Sequence, residues 1–192
     1  MVRADIFCDT QIVDHIIPTM KAFIAKQEMV FLATSDADGR AHSSFRAGSP
    51  GFVEVVNEST LRFADYRGNG VYSTLGNLVE NPYVGLLFID FFESTVGLHV
   101  NGTAAIRERS PEDADFIERW VEIHVERAFM HCATHVPLLR KADKDIHWGS
   151  QLGRDKRGDF FKVKPYLRCK VCKGTEMKVC QRLKHRLEQR ED

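Results

Sequence analysis

Residues 29–64 read MVFLATSDADGRAHSSFRAGSPGFVEVVNESTLRFA, and this stretch decides the fold class. Met29 to Ser35 is a strand-length apolar run. Asp36-Ala37-Asp38-Gly39 is a turn whose glycine supplies the positive φ of a tight loop. Arg40 to Ala47 alternates back as a second strand, and Gly48-Ser49-Pro50-Gly51 turns the chain again. Phe52 to Val56 and Thr60 to Ala64 are two further short strands, joined by the polar loop Asn57-Glu58-Ser59. Short strands linked by tight turns predict an antiparallel barrel or sandwich.

The flanking segments extend this pattern. Upstream, Thr10 to Gln27 has helical spacing of Ile12, Ile16, Met20, Phe23 and Ile24, with Pro18 expected to divide it into two pieces. Downstream, Val71 to Glu80 predicts a helix that stops before Asn81-Pro82. Tyr83 to Phe91 and Val96 to Arg107 predict two longer strands, and Trp120 to Ala128 alternates as another. Ser110-Pro111-Glu112-Asp113 has the residues of a helix start, so a short helix is expected there. Pro137 to Lys144 predicts a helical turn, and Phe160 to Val163 a last strand. The expectation is an all-β core with α decoration, a barrel of six to seven antiparallel strands. Residues 1–28 form an N-terminal helical segment, 29–165 the barrel, and 166–192 a basic tail.

Composition narrows the function classes. The 192 residues suit one domain, and the 43% hydrophobic content is enough for a core. Lys and Arg (27) balance Asp and Glu (27), so the total charge points neither to nucleic acid nor to a charged membrane as main partner. The balance conceals an asymmetry. Residues 162–192 carry ten Lys/Arg against four Asp/Glu, a net +6, which leaves −6 for the first 161. The basic end reads either as a solvated helix or as a binder of phosphates. No run approaches the roughly 20 apolar residues of a membrane-spanning helix. With five cysteines and no secretory pattern, reduced thiols and a cytoplasmic location are expected.

The chemistry concentrates at Phe63-Ala64-Asp65-Tyr66-Arg67-Gly68-Asn69-Gly70, where a strand runs through a glycine-bracketed loop into a helix start. Backbone N–H groups and the positive end of the helix dipole suit such a junction to a phosphate. Arg67 adds a charged fork of donors, and Asn69, Ser73 and Thr74 add neutral ones. The alternative is an ordinary turn before a helix, because neither a P-loop nor a dinucleotide fingerprint is present.

The ordered series Arg46-Ala47-Gly48-Ser49-Pro50-Gly51-Phe52, Leu61 to Asn69, Thr74-Leu75-Gly76-Asn77-Leu78, Glu80-Asn81-Pro82 and Gly85 to Phe91 resembles the pyridoxamine 5′-phosphate oxidase-related family of FMN-binding split barrels. Gly102 and the segment Phe129-Met130-His131-Cys132 fit later motifs of that family. The resemblance spans roughly Lys26 to Pro137. It implies a homodimer with FMN at the subunit interface. It implies that Ser43, Ser44, Phe45 and Arg46 lie along the flavin, and that Asp65, Tyr66, Arg67, Gly68, Asn69, Ser73 and Thr74 surround ring edge and phosphate. It further implies an oxidoreductase that passes a hydride through flavin N5 to or from a small molecule. The chain lacks the family's Ser-x-Lys element at Val71-Tyr72-Ser73, its Gln-x-Arg strand at Gly97-Leu98-His99, and its terminal Arg-Leu-x-Pro signature. Pyridoxamine phosphate is therefore not the expected substrate. The competing classes are a non-catalytic flavin- or haem-binding sensor and a deazaflavin-dependent reductase.

Two further groups carry possible chemistry. His131 and Cys132 are candidates for the substrate side of a flavin, or else structural residues. Cys169, Cys172, Cys180 and His185 offer three thiolates and an imidazole for zinc. The same cysteines also read as a redox pair or as incidental residues of a solvated helix. His42 and His99, on alternating strands, are read as barrel residues.

Overall fold

The computed structural model describes residues 11–66, 72–143 and 160–162. Seven strands follow in order: β1 (Met29–Ser35), β2 (Ala41–Ala47), β3 (Val53–Asn57), β4 (Thr60–Tyr66), β5 (Tyr83–Ile89), β6 (Gly97–Glu108) and β7 (Ile117–His131). Two α-helices accompany them, α1 (Pro18–Ile24) and α2 (Ser73–Glu80). All strand pairs are antiparallel in one sheet of order β2-β1-β5-β6-β7-β4-β3. The sheet curls on itself. Arg46 of β2, at one edge, reaches Asp65 of β4, next to the other edge, at 3.6 Å. The fold is an antiparallel split β-barrel with helical decoration.

Alternation selects the core. Val30 and Leu32 of β1, Leu61 and Phe63 of β4, Leu86 and Phe88 of β5, and Val121, Ile123 and Val125 of β7 all point inward and are buried. α1 adds Ile24 and α2 adds Leu75 and Leu78 to the same cluster. Each such side chain contributes roughly 1.5–3 kcal/mol by leaving water. A bulge at Asn101/Gly102 lets the long β6–β7 ribbon bend. Gly102 lies within β6, inside the strand expected from Val96 to Arg107. A Cβ there would stand 1.9 Å from the His124 carbonyl oxygen, so only glycine permits the approach.

The four strands of the opening stretch form within a residue or two of their expected bounds, and Gly39 takes φ +78° in its turn. Other expectations fail for physical reasons. Of the two helical pieces expected between Thr10 and Gln27, α1 is the second; Gln11 is helical too, and the residues before it lie outside the described residues. Before α1, Val13 makes an isolated antiparallel bridge to Ala128 and extends the sheet. No helix forms at Ser110. The Asp113 carboxylate accepts from the Ser110 N–H (2.7 Å) and the Trp120 indole N–H (2.9 Å), which fastens a turn onto β7. Residues 137–143 hold no helical turn, a single 3-10 turn falling earlier at Ala133–His135. Phe160 to Lys162 form a turn and not a strand, and Val163 lies outside the described residues. Among the described residues no helix is long and apolar enough to cross a membrane.

Candidate functional site

β2 is an edge strand whose residues alternate between two faces. Ser44 and Arg46 point toward the closed side, whereas Ser43 and Phe45 point outward, Phe45 being 52% exposed. The four residues expected along one ligand are thus split between faces. The helix beginning at Ser73, two residues later than expected, brings its first turn to the inner pair: the Thr74 hydroxyl donates to Ser44 Oγ at 3.1 Å. The N-cap residue makes no side-chain capping hydrogen bond and the first turn carries no acidic residue.

The helix is held there by two amides. Asn77 Nδ2 donates to Thr34 Oγ1 (3.1 Å) and Asn81 Nδ2 to Ser35 Oγ (2.8 Å), so both asparagines moor α2 to the end of β1. The Thr-Leu-Gly-Asn and Asn-Pro motifs therefore serve the placement of the helix.

Asp65 closes the cluster from β4. Burial pushes its carboxyl up, an effect that Arg46 opposes and Glu118 reinforces. Arg46 keeps its Nε buried without a hydrogen-bond partner, so the guanidinium is poised but not saturated by its single weak ion pair. Arg119, opposite Asp65 on β7, is in a similar state: its side chain is 16% exposed and its Nε has no hydrogen-bond partner. Sequence reasoning missed Arg119 because it began this strand at Trp120. Carrying the period-two alternation back from Val121 would have placed Arg119 on the inward face.

Tyr66 points away from this cluster, its ring edge-on to Phe116 at 5.7 Å. Burial, and then Glu54, raise its phenol. Arg67, Gly68 and Asn69 lie outside the described residues, as do Cys169, Cys172, Cys180 and His185. Among the described residues no group of three or more His, Cys, Asp or Glu converges as a metal site.

At the far end of β7, His131 Nδ1 stands 3.0 Å from His99 Nε2 on β6. Burial, then His131, hold the His99 imidazole below its usual range. Cys132 is exposed, and hydrogen bonds to the Thr134 side chain and backbone lower its thiol. Between these groups and the β2 edge runs one outward-facing row in continuous register: Phe45, Phe31, Leu87, His99 and Phe129.

Comparisons with known proteins agree with this architecture. A family profile described as pyridoxamine 5′-phosphate oxidase matches residues 16–146, about two thirds of the chain. No curated protein sequence matches it significantly. Among solved structures, HupZ from Group A Streptococcus is 19% identical with a TM-score of 0.47, over 59% of this chain and 93% of that one. A candidate pyridoxamine 5′-phosphate oxidase from Lactobacillus delbrueckii is 22% identical with a TM-score of 0.49, over 61% and 95%. HutZ, a haem storage protein from Vibrio cholerae, is 19% identical with a TM-score of 0.42, over 59% and 93%.

Proposed function

The chain belongs to the pyridoxamine 5′-phosphate oxidase family, and from that premise we propose that it is an FMN-binding oxidoreductase acting on a small molecule other than pyridoxamine phosphate. One observation carries the reading: β2, β4 and the start of α2 bring Ser44, Arg46, Asp65 and Thr74 together at the first turn of a helix. The donor set fits a flavin mononucleotide. Two hydroxyls, a guanidinium whose Nε has no hydrogen-bond partner and a helix first turn without an acidic residue match a phosphate or the polar edge of the ring.

When bound, the flavin supplies hydride exchange at N5, a reaction that requires no protein base. The chain's own residues bind and orient. Arg46 and the Thr74 and Ser44 hydroxyls would hold the cofactor, and Asp65 would orient the Arg46 guanidinium. Burial of Asp65 keeps this edge away from bulk water. His131 and Cys132 are the candidates for the substrate side.

The protein works as a homodimer in this reading. Phe31 (36% exposed) and Phe45 (52%) lead an apolar outer row that a second copy would cover. Absorbance of the purified protein tests the proposal. Bands near the usual flavin maxima, bleached by a reduced nicotinamide and restored by air, are expected. A Soret band would point to haem and contradict it, and bound flavin that no donor bleaches would remove the enzymatic half.

A further inference from the structure

The His99–His131 pair takes no part in the barrel core or in the Ser44–Arg46–Thr74 cluster, yet its two rings are held in place. Phe129, directly opposite His99, stacks on it at 4.7 Å with an 18° interplanar angle. Gly97, directly opposite His131, leaves the neighbouring position empty, and a Cβ there would stand 2.7 Å from that of His131. His131 can therefore lean along the ribbon toward His99. The rings tilt 56° to each other and bring Nε2 and Nδ1 to 3.0 Å. Both residues are partly exposed on the outer face.

As they stand the two nitrogens face each other in a hydrogen bond, and a turn of each ring about its Cβ–Cγ bond aims both lone pairs at one ion beside them. With metal–nitrogen bonds of about 2.1 Å, 3.0 Å corresponds to an angle at the metal of about 90°, whereas a tetrahedral angle needs about 3.4 Å. Right angles between neighbouring ligands belong to square-planar, tetragonal or octahedral ions, which favours copper(II) or nickel(II) over zinc. Coordination also needs neutral imidazoles, each with a ring nitrogen that carries a free lone pair. Without a metal the same nitrogens share one hydrogen, one donating and the other accepting.

We propose that His99 Nε2 and His131 Nδ1 form a two-nitrogen site for a divalent ion of the copper or nickel class. Since no third protein donor converges among the described residues, the remaining coordination positions are open to water or to an added ligand.

The test is titration of the full-length chain with Ni²⁺ near neutral pH, in a variant with Cys169→Ser, Cys172→Ser and Cys180→Ser so that these thiols do not compete. One Ni²⁺ per chain is expected. Adding either His99→Ala or His131→Asn should weaken binding on the order of tenfold or more. Far-UV circular dichroism checks that each variant is folded. If a histidine variant fails to fold, Cu²⁺ in the chain with both histidines intact gives a second readout, electron spin-echo modulation from two imidazoles. Nickel affinity unchanged in both histidine variants, or a copper signal without two imidazoles, would overturn the proposal.

Discussion

Asp65 is pushed upward in pKa chiefly by burial, with Arg46 only partly compensating. The folded chain therefore holds this proton to a higher pH than the unfolded chain does, and ionising Asp65 as pH rises costs stability. Arg46 is about a third exposed and can turn to water if its partner is neutral. Asp65→Asn should thus raise the melting temperature at pH 7, and the gain should shrink as the pH falls and the wild-type carboxyl takes up its proton. Thermal melts of both proteins from pH 7 downward check this; a gain independent of pH would count against it. Arg46→Gln removes a charge-assisted donor, so flavin affinity should fall on the order of 10- to 100-fold, and because it also removes the charge that partly compensates Asp65, the melting temperature at pH 7 should fall as well. Fluorescence titration with FMN reads the effect. At this scale the sequence is legible in part. Ser44, Arg46, Asp65 and Thr74 all stand out in it, but as members of contiguous runs. The period of two then sends Ser43 and Phe45 to the opposite face, which a resemblance alone does not convey.

Between β5 and β6, the Asp90 carboxylate accepts from the backbone N–H groups of Phe92, Glu93 and Ser94 and from the Ser94 hydroxyl. Burial works to raise this carboxyl, yet those hydrogen bonds together bring it down to about 2. Its stabilising effect is present above the ordinary value of 3.8 and is lost as pH falls toward 2. Asp90→Asn should cost about 1 kcal/mol at pH 7 after solvent screening, and the difference should vanish in acid. Denaturant melts at pH 7 and near the lower limit compare the two. In the β6–β7 ribbon, Gly102→Ala must push the His124 carbonyl aside and should cost about 2–3 kcal/mol, seen as a lower denaturation midpoint at unchanged slope. Strand existence is readable wherever alternation is clean, as in β1 to β6. The limits of β7 are not, because Glu118, Arg119, Glu126 and Arg127 lie toward its ends, where charged residues interrupt the apolar pattern. The helix expected at Ser110 fails because its capping residues are used by a turn that the adjacent strands impose.

For the whole molecule, the curled seven-stranded sheet buries one face and leaves Phe45, Phe31 and Leu87 in register on the other. A second copy covering this row predicts a dimer in solution, and Phe31→Asp with Phe45→Asp should convert it to a monomer by light scattering. An antiparallel barrel or sandwich is legible from turn spacing, since short strands close together have few other ways to bury one face. The outer row is not, because a sequence does not say which of two faces meets a partner. The central claim is that the cluster at the start of α2 holds FMN. It is tested most directly by mass spectrometry of the small molecule released when the purified protein is denatured. The account predicts the mass of FMN, about one per chain; haem, a deazaflavin or a preparation that never takes up FMN would contradict it.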